Sequence, residues 1–172
     1  MFRNFIDLSY FFDEIIITQR VILIMGNILA DFAEYIFNRL ENTVEGLGEE
    51  ELYWKPVEES NSIYWILVHT TRIAYLLIPQ VLDGTYNPAG WNDDYEKQNH
   101  SLKELQNDLD KGREKVVKGI NRLSLGQLSQ EIEIWDRKRP LKEPLFVLLG
   151  ELLHHHGQIA MLRGVYKRIN VF

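Results

Sequence analysis

Histidine and carboxylate side chains are the strong metal-binding groups that this chain offers. It has 172 residues with five histidines and no cysteine, and three histidines are consecutive at His154, His155 and His156. The lack of cysteine excludes a disulfide scaffold, an iron–sulfur cluster, a thiolate zinc site and a cysteine nucleophile. It also fits a reducing compartment, so we expect a cytoplasmic protein. Any metal would have to be held by His, Asp and Glu alone.

The histidine triplet lies in a predicted helix, and helical phase separates its three members. At ~100° per residue, Glu151 stands at the centre of an apolar stripe formed by Val147, Leu148, Leu162, Val165, Tyr166 and Ile169. His155 lies about 40° from Glu151 and Gln158 about 20°, so both fall inside this stripe. His154 lies at its edge, about 60° away, and His156 points about 140° away. The helical phase therefore predicts that His155 faces the core and that His156 does not.

Glu151 and His155 are four residues apart, which lets their side chains converge on one point. The same spacing separates the two histidine ligands of helical zinc motifs. A carboxylate in an apolar stripe is costly unless it is paired, hydrogen-bonded or coordinated. A buried hydrogen bond within the pair, a stripe that is exposed to solvent, and a shared metal ion are all open at this point.

His69 on the second predicted helix favours the metal hypothesis. It lies at the margin of that helix's apolar face, where a lone histidine is more often a satisfied core residue than a ligand. With an inward Glu and His on a facing helix, the role of ligand becomes the better interpretation. We expect a divalent metal bound by His69, Glu151 and His155, with His154 as an alternative ligand and Gln158 as an orienting partner. Two histidines and one carboxylate leave coordination positions open and suit Zn, Ni or non-haem Fe(II).

Four amphipathic helices must position these donors. Apolar spacing, N-cap residues and breakers predict helices over residues 27–44, 61–84, 101–123 and 144–169, with a bend near Pro79 in the second. Residues 85–99 are predicted to form a long loop, and residues 131–135 a short extended connector. Four long helices predict an all-α chain folded as a four-helix bundle.

The first residues differ from this pattern. We predict an N-terminal extension over residues 1–24 and the helical domain over residues 25–172. Charges are scattered through the extension, so it lacks the form of a signal peptide, and no uncharged apolar run approaches the ~20 residues of a membrane span. The extension either packs on the domain or a partner subunit, or is a leader upstream of a true start at Met25. The second interpretation is slightly favoured because the domain pattern begins only after Met25.

Two motifs give the chain a family likeness. SNSIYWILVHTTR contains His69, and GELLHHHGQIAMLRG contains Glu151 and His155. The second motif is similar to the H-x-x-x-H-R-G-Q signature of the DinB-like (YfiT-like) superfamily of metal-dependent enzymes, which the chain resembles over residues 27–166. The resemblance implies that His69 and His155 are family ligands. The usual first histidine of the signature is Glu151 here, and its arginine is His156, so the implied set changes from three histidines to two histidines and one carboxylate.

The resemblance also implies a topology and a chemistry. The topology it implies is an up-down-down-up bundle, often dimeric, with the metal near one end of the bundle. Characterised relatives include thiol-dependent transferases and a mycothiol-dependent maleylpyruvate isomerase, in which the metal activates a low-molecular-weight thiol. The resemblance therefore implies a small-molecule substrate, such as a low-molecular-weight thiol, and a homodimer.

Charge and composition separate the hypotheses about function. The formal net charge is −6, from 19 basic and 25 acidic residues, which argues against nucleic-acid binding. The leading hypothesis is a metal-dependent enzyme of the thiol-dependent transferase or hydrolase type. The rival is a non-catalytic dimeric helical bundle in which Glu151 and His155 form a structural pair.

Overall fold

The helical periodicity of the sequence is realised in the computed structural model, which describes residues 28–87 and 94–170. The six helices within these ranges are α1 (residues 28–44), α2 (Glu49–Tyr53), α3 (Ile63–Leu82), α4 (Leu102–Asn121), α5 (Leu125–Ser129) and α6 (Lys142–Asn170). A 3-10 turn at Tyr95–Lys97 precedes α4. The all-α prediction is confirmed, and the predicted extension over residues 1–24 lies outside the described residues.

Serine side chains begin three of these helices. Ser62, one residue beyond the predicted Asn61, caps α3 by accepting a hydrogen bond from a backbone N–H of its first turn. The predicted capping box of Ser101 and Glu104 is present at α4. A second capping box begins the short helix α5 at Ser124. The helix starts are therefore fixed by local hydrogen bonds that the sequence largely specifies.

Helix α3 contains one π-helical turn, at Ile73–Leu77. Pro79 follows this turn and has no N–H, so it cannot donate to the carbonyl of Tyr75 as a regular helix requires. The N–H of Ile78 donates to the carbonyl of Ile73, five residues back, which gives the wider turn. The irregularity predicted near Pro79 thus lies in the residues just before the proline.

The core lies among α1, α3, α4 and α6, and each of these long helices buries an apolar face there. The largest fully buried side chains on the four helices are Ile36, Phe37, Leu40, Ile63, Leu67, Ile78, Leu105, Leu109, Ile120, Leu145 and Leu149. Burial of apolar surface contributes roughly 25 cal/mol per Å² and is the main force holding the helices together. The up-down-down-up order of the helices stays a prediction.

A β-hairpin stands where the sequence predicted only a short extended connector. Strand β1 (Glu131–Ile134) pairs antiparallel with β2 (Arg137–Pro140). The two residues between them, Trp135 and Asp136, have φ angles of 53° and 59°, as a two-residue type I′ turn requires. Because neither is glycine or asparagine, the usual sequence signal of such a turn is missing, and the prediction of residues 131–135 was incomplete.

Helix α3 is the one helix of the described residues that is long and apolar enough to cross a membrane. Its best 18-residue window has a mean hydropathy of 1.2, and 67% of that window is buried inside the fold. A helix packed in this way contacts other helices where a membrane span would contact lipid. This burial is consistent with a soluble protein.

Arg163 of α6 joins three helices through a buried ion pair. Its Nε donates to Glu51 Oε1 at 2.8 Å, and its Nη1 donates to the carbonyls of Thr43 and Glu45 at 2.6 and 2.9 Å. The side chains of Arg163 and Glu51 are only 13% and 8% exposed. The guanidinium therefore satisfies carbonyls at the end of α1 and neutralises a buried carboxylate of α2.

Helices α3 and α4 approach each other closely at Gly112. A Cβ atom built there would lie 2.9 Å from the carbonyl carbon and oxygen of Ala74, which is backbone and cannot move aside cheaply. Gly157 of α6, in contrast, is exposed and has no neighbour within 4 Å of such a Cβ. The two glycines therefore offer a matched test of this helix contact.

Gly112→Ala should lower the free energy of unfolding by about 1–3 kcal/mol, because the added methyl group forces α3 and α4 apart. Gly157→Ala should raise it by up to about 1 kcal/mol, because alanine is the better helix former. Urea denaturation followed by circular dichroism measures both. Equal effects of the two substitutions would contradict the close contact at Gly112.

Arg163→Met should destabilise the fold by about 3–5 kcal/mol, because it leaves the carboxylate of Glu51 buried without its partner. The double variant Glu51→Met, Arg163→Met should recover part of that loss, since no lone charge is then buried. Arg168→Met, at an exposed position of the same helix, is the control and should change stability by no more than about 0.5 kcal/mol. An equally small effect of Arg163→Met would contradict the role given to this ion pair.

Candidate metal centre

Helix α6 turns a different face to the core from the one predicted. Its buried residues are Pro144, Leu145, Leu148, Leu149, Leu152, His155, His156, Ile159 and Leu162, a stripe centred near Leu152. Glu151, predicted at the centre, has 49% of its side chain exposed, and His156, predicted to point away, is only 8% exposed. Both predictions were wrong because apolar residues surround much of α6. The prediction counted Val147 and Ile169 as core residues and therefore placed the stripe around Glu151. In the structure these two side chains are 46% and 62% exposed.

His155 is buried with one ring nitrogen bonded and the other without a partner. Its Nδ1 lies 2.8 Å from Oε1 of Gln158, one turn further along α6. An amide oxygen only accepts, so Nδ1 donates and Nε2 presents its lone pair. Nε2 is buried and makes no hydrogen bond. Burial lowers the pKa of His155 below its ordinary value, which favours the neutral ring that a metal requires.

His69 approaches His155 from α3. The two ring centroids lie 5.0 Å apart, with the ring planes perpendicular. The Nδ1 of His69 lies 2.7 Å from Oε1 of Glu96, so this nitrogen also donates to an oxygen acceptor. Trp65, one turn earlier, stacks on the His69 ring at 5.5 Å. The orientation of His69 is therefore set from two sides.

Glu151 lies next to the unpaired nitrogen of His155 without bonding it. Its Oε2 is 3.7 Å from His155 Nε2, beyond hydrogen-bond distance. Because half of the side chain is exposed, the carboxylate keeps its hydration and does not need the histidine as a partner. The expected convergence of Glu151 and His155 on one region is present, while the buried Glu–His hydrogen bond is not.

The three predicted ligands are of residue types that bind divalent metals, but the structure does not arrange them as a complete metal site. Within residues 28–87 and 94–170, no three His, Asp or Glu side chains are already arranged so that they could hold a metal ion. His155 nevertheless presents a buried, unpaired Nε2, and both histidines have their Nδ1 atoms bonded to oxygen. Metal-ligating histidines almost always show this second pattern. The two histidines therefore have the form of metal ligands, whereas the exposed carboxylate of Glu151 is not positioned as a third ligand.

The remaining predicted residues, Gln158 and His154, differ in how they meet His155. Gln158 contacts His155 directly, as its predicted orienting role requires. His154 is exposed, with its ring 5.3 Å from that of His155. The sequence reasoning missed Glu96, whose contact with His69 spans 27 residues. Its position in the long loop predicted before α4 was the one available signal.

Comparison with known proteins identifies the family. The sequence model of the DinB superfamily matches residues 34–159, a range that includes all three candidate ligands and Gln158. The chain belongs to the DinB superfamily. The expected family is thereby confirmed.

A solved structure supports the DinB-like fold. The fold is similar to the crystal structure of a DinB-like protein, YjoA, from Bacillus subtilis, with a TM-score of 0.63 and 20% sequence identity over 80% of this chain and 91% of that chain. At this identity the likeness to YjoA shows the fold alone. No curated protein matches the chain at a significant level.

His155→Leu should raise the free energy of unfolding of the metal-free DinB-like protein by about 1 kcal/mol, because it removes a buried nitrogen that has no partner. Gln158 is partly exposed and can bond to water once its partner is gone. His154→Leu, at an exposed neighbouring position, is the control and should change stability by no more than about 0.5 kcal/mol. Denaturation with chelator present measures both variants. A loss of stability in His155→Leu would contradict the unpaired state of Nε2.

Proposed function

We propose that this DinB-superfamily protein binds a divalent metal through His69, Glu151 and His155 and acts as a metal-dependent enzyme of the thiol-dependent transferase or hydrolase type. The observation that carries the proposal is the buried, unpaired Nε2 of His155 beside a second histidine and a carboxylate. A buried polar atom of this kind is costly unless a ligand satisfies it. Family membership supports the same assignment.

Each proposed ligand has a distinct task in this site. His69 and His155 supply neutral Nε2 donors, and their bonded Nδ1 atoms hold the rings in place. Glu151 supplies a negative charge where the family signature usually has a neutral histidine. When bound, a divalent metal lowers the pKa of a water or thiol nucleophile so that it can react near neutral pH.

The composition of the chain limits where such a nucleophile can come from. Because there is no cysteine, a reacting thiol has to belong to a small-molecule substrate. We propose a low-molecular-weight thiol as one such substrate, a homodimeric state and a cytoplasmic location. The donor set suits Zn, Ni or Fe. The net charge of −6 makes nucleic acid an unfavourable partner, so binding to heparin should be weak at physiological salt.

A non-catalytic dimeric bundle is the second candidate, and one observation favours it. No metal-binding group of three side chains is preformed within the described ranges, 28–87 and 94–170. The separation of 3.7 Å between Glu151 and His155 weighs against the structural pair on which this alternative relies. Measurement of bound metal separates the two candidates.

Purified protein dialysed against a divalent metal should retain about one equivalent of metal per chain. Loss of an outer hydrogen-bond partner typically weakens metal affinity by about 10–100-fold, and we expect His69→Ala and His155→Ala, which remove ligands, to weaken it further. Glu151→Gln should weaken binding while leaving both histidines in place. His154→Ala is the matched control, since it removes an exposed histidine of the triplet, and it should keep wild-type affinity.

Elemental analysis and competition with a chromophoric chelator give stoichiometry and affinity. Metal should also raise the melting temperature of the wild type, by an amount equivalent to about 2.7 kcal/mol at a concentration 100 times Kd. Equal binding by wild type and His155→Ala would contradict the proposed site. Loss of binding in His154→Ala would show that His154 is the ligand in its place.

A further inference from the structure

We infer that Glu96 is a positioning residue that holds His69 with its Nε2 free to bind the metal. This inference rests on the proposed metal site and assigns a role to a residue that lies outside both helices of that site. Glu96 belongs to the 3-10 turn Tyr95–Lys97, which lies between α3 and α4.

The contact between Glu96 and His69 is short, and only the histidine can donate the hydrogen bond. Oε1 of Glu96 lies 2.7 Å from Nδ1 of His69, and a carboxylate in such a pair only accepts. The proton therefore resides on Nδ1, and Nε2 keeps its lone pair. Carboxylate–histidine–metal arrangements use this contact to fix both the tautomer and the ring orientation and to raise the basicity of the ligand.

A second charge contributes to the position of the carboxylate. Nη1 of Arg72, a buried residue of α3, lies 3.8 Å from the same Oε1 atom. The side chain of Glu96 is 40% exposed, but its bonding oxygen lies between a ring and a guanidinium of the same helix. The turn is thereby attached to α3 at the level of His69.

The neighbouring residue Tyr95 attaches the turn to α4. Tyr95 is 7% exposed, its hydroxyl donates to Oδ2 of Asp108 at 3.0 Å, and its ring stacks on His100 at 4.2 Å. The carbonyl of Tyr95 in turn accepts from His100 Nε2 at 2.8 Å. Burial, and then the charge of Asp108, raise the pKa of Tyr95, so its hydroxyl stays a donor at neutral pH. Glu96 is therefore held by a fixed backbone and does not reach His69 from a free surface loop.

Asp94, the residue just before this turn, offers a matched control. Asp94 pairs with Lys97 at 2.9 Å, and both of these side chains are largely exposed. The carboxylate of Asp94 is thus paired with a lysine, whereas that of Glu96 is paired with His69. Asp94→Asn therefore removes a carboxylate next to the turn while leaving the proposed positioning contact in place.

Metal affinity is the first test, with Co²⁺ as the probe. We expect Glu96→Ala to weaken Co²⁺ binding by about 10–100-fold, as loss of an outer carboxylate partner typically does. Glu96→Gln should lie between Glu96→Ala and wild type, because an amide oxygen still accepts from Nδ1–H but has no full charge. Asp94→Asn should bind Co²⁺ as the wild type does.

The tautomer of His69 in the metal-free protein is the second test. Nitrogen-15 NMR of the histidine rings, at a pH where they are neutral, should show Nδ1–H in the wild type, in Glu96→Gln and in Asp94→Asn. Glu96→Ala should show a mixture of the two tautomers. A residue that only stabilises the turn would lower the melting temperature of the variant without changing the tautomer or the Co²⁺ affinity.

The outcomes keep the two proposals apart. If the wild type binds Co²⁺ and Glu96→Ala binds equally well with an unchanged tautomer, the role of Glu96 is overturned and the metal site stands. If Glu96→Gln loses Co²⁺ as completely as His69→Ala does, Glu96 is itself a ligand and the positioning role is overturned. If neither the wild type nor any variant binds Co²⁺ but Glu96→Ala changes the tautomer of His69, the proposed metal site fails. The positioning of His69 by Glu96 is then supported.

Discussion

A buried imidazole with one nitrogen bonded and the other without a partner is the constraint on which this region of the fold depends. Protein cores satisfy nearly all of their polar atoms, because a buried group without a partner costs about 1–3 kcal/mol. His155 breaks that rule at Nε2 while obeying it at Nδ1. Among the described residues it is one of three such side-chain atoms, with Thr71 Oγ1 and Arg139 Nε, and it lies beside His69 and Glu151. We propose that ligand binding, rather than packing, explains the unsatisfied nitrogen of His155.

The rest of the fold keeps the ring of His155 next to the ring of His69. Helices α3 and α6 present the two histidines, and α4 supports α3 through the close contact at Gly112. Arg163 fixes the far part of α6 to the end of α1 and to α2 through a buried ion pair. These contacts involve backbone atoms or buried charge, so they allow little sliding of one helix along another. The carboxylate of Glu151, in contrast, is half-exposed and lies 3.7 Å from His155 Nε2 without a hydrogen bond to it.

Local signals predicted the four long helices of this chain, whereas tertiary packing decided which faces they bury. The capping box at Ser101 is present, as residue type and spacing predicted, and the rings of His69 and His155, expected on facing helices, lie 5.0 Å apart. The rotation of α6 about its axis was not predictable, because apolar residues surround much of the helix and the core alone chooses among them. Glu151 is therefore half-exposed where burial was predicted, and His156 is buried where exposure was predicted. Glu96 was missed because its contact depends on a loop that returns to α3, which no periodic pattern encodes.

The central claim is that Nε2 of His155 binds a metal together with His69. X-ray absorption at the metal edge, recorded on the loaded protein, tests it most directly, because imidazole ligands give multiple-scattering features that carboxylates and water lack. The account predicts the signal of two imidazoles with additional oxygen ligands in the wild type, and of one imidazole or no bound metal in His155→Ala. A loaded wild-type protein without imidazole scattering, or with two imidazoles retained in His155→Ala, would contradict it.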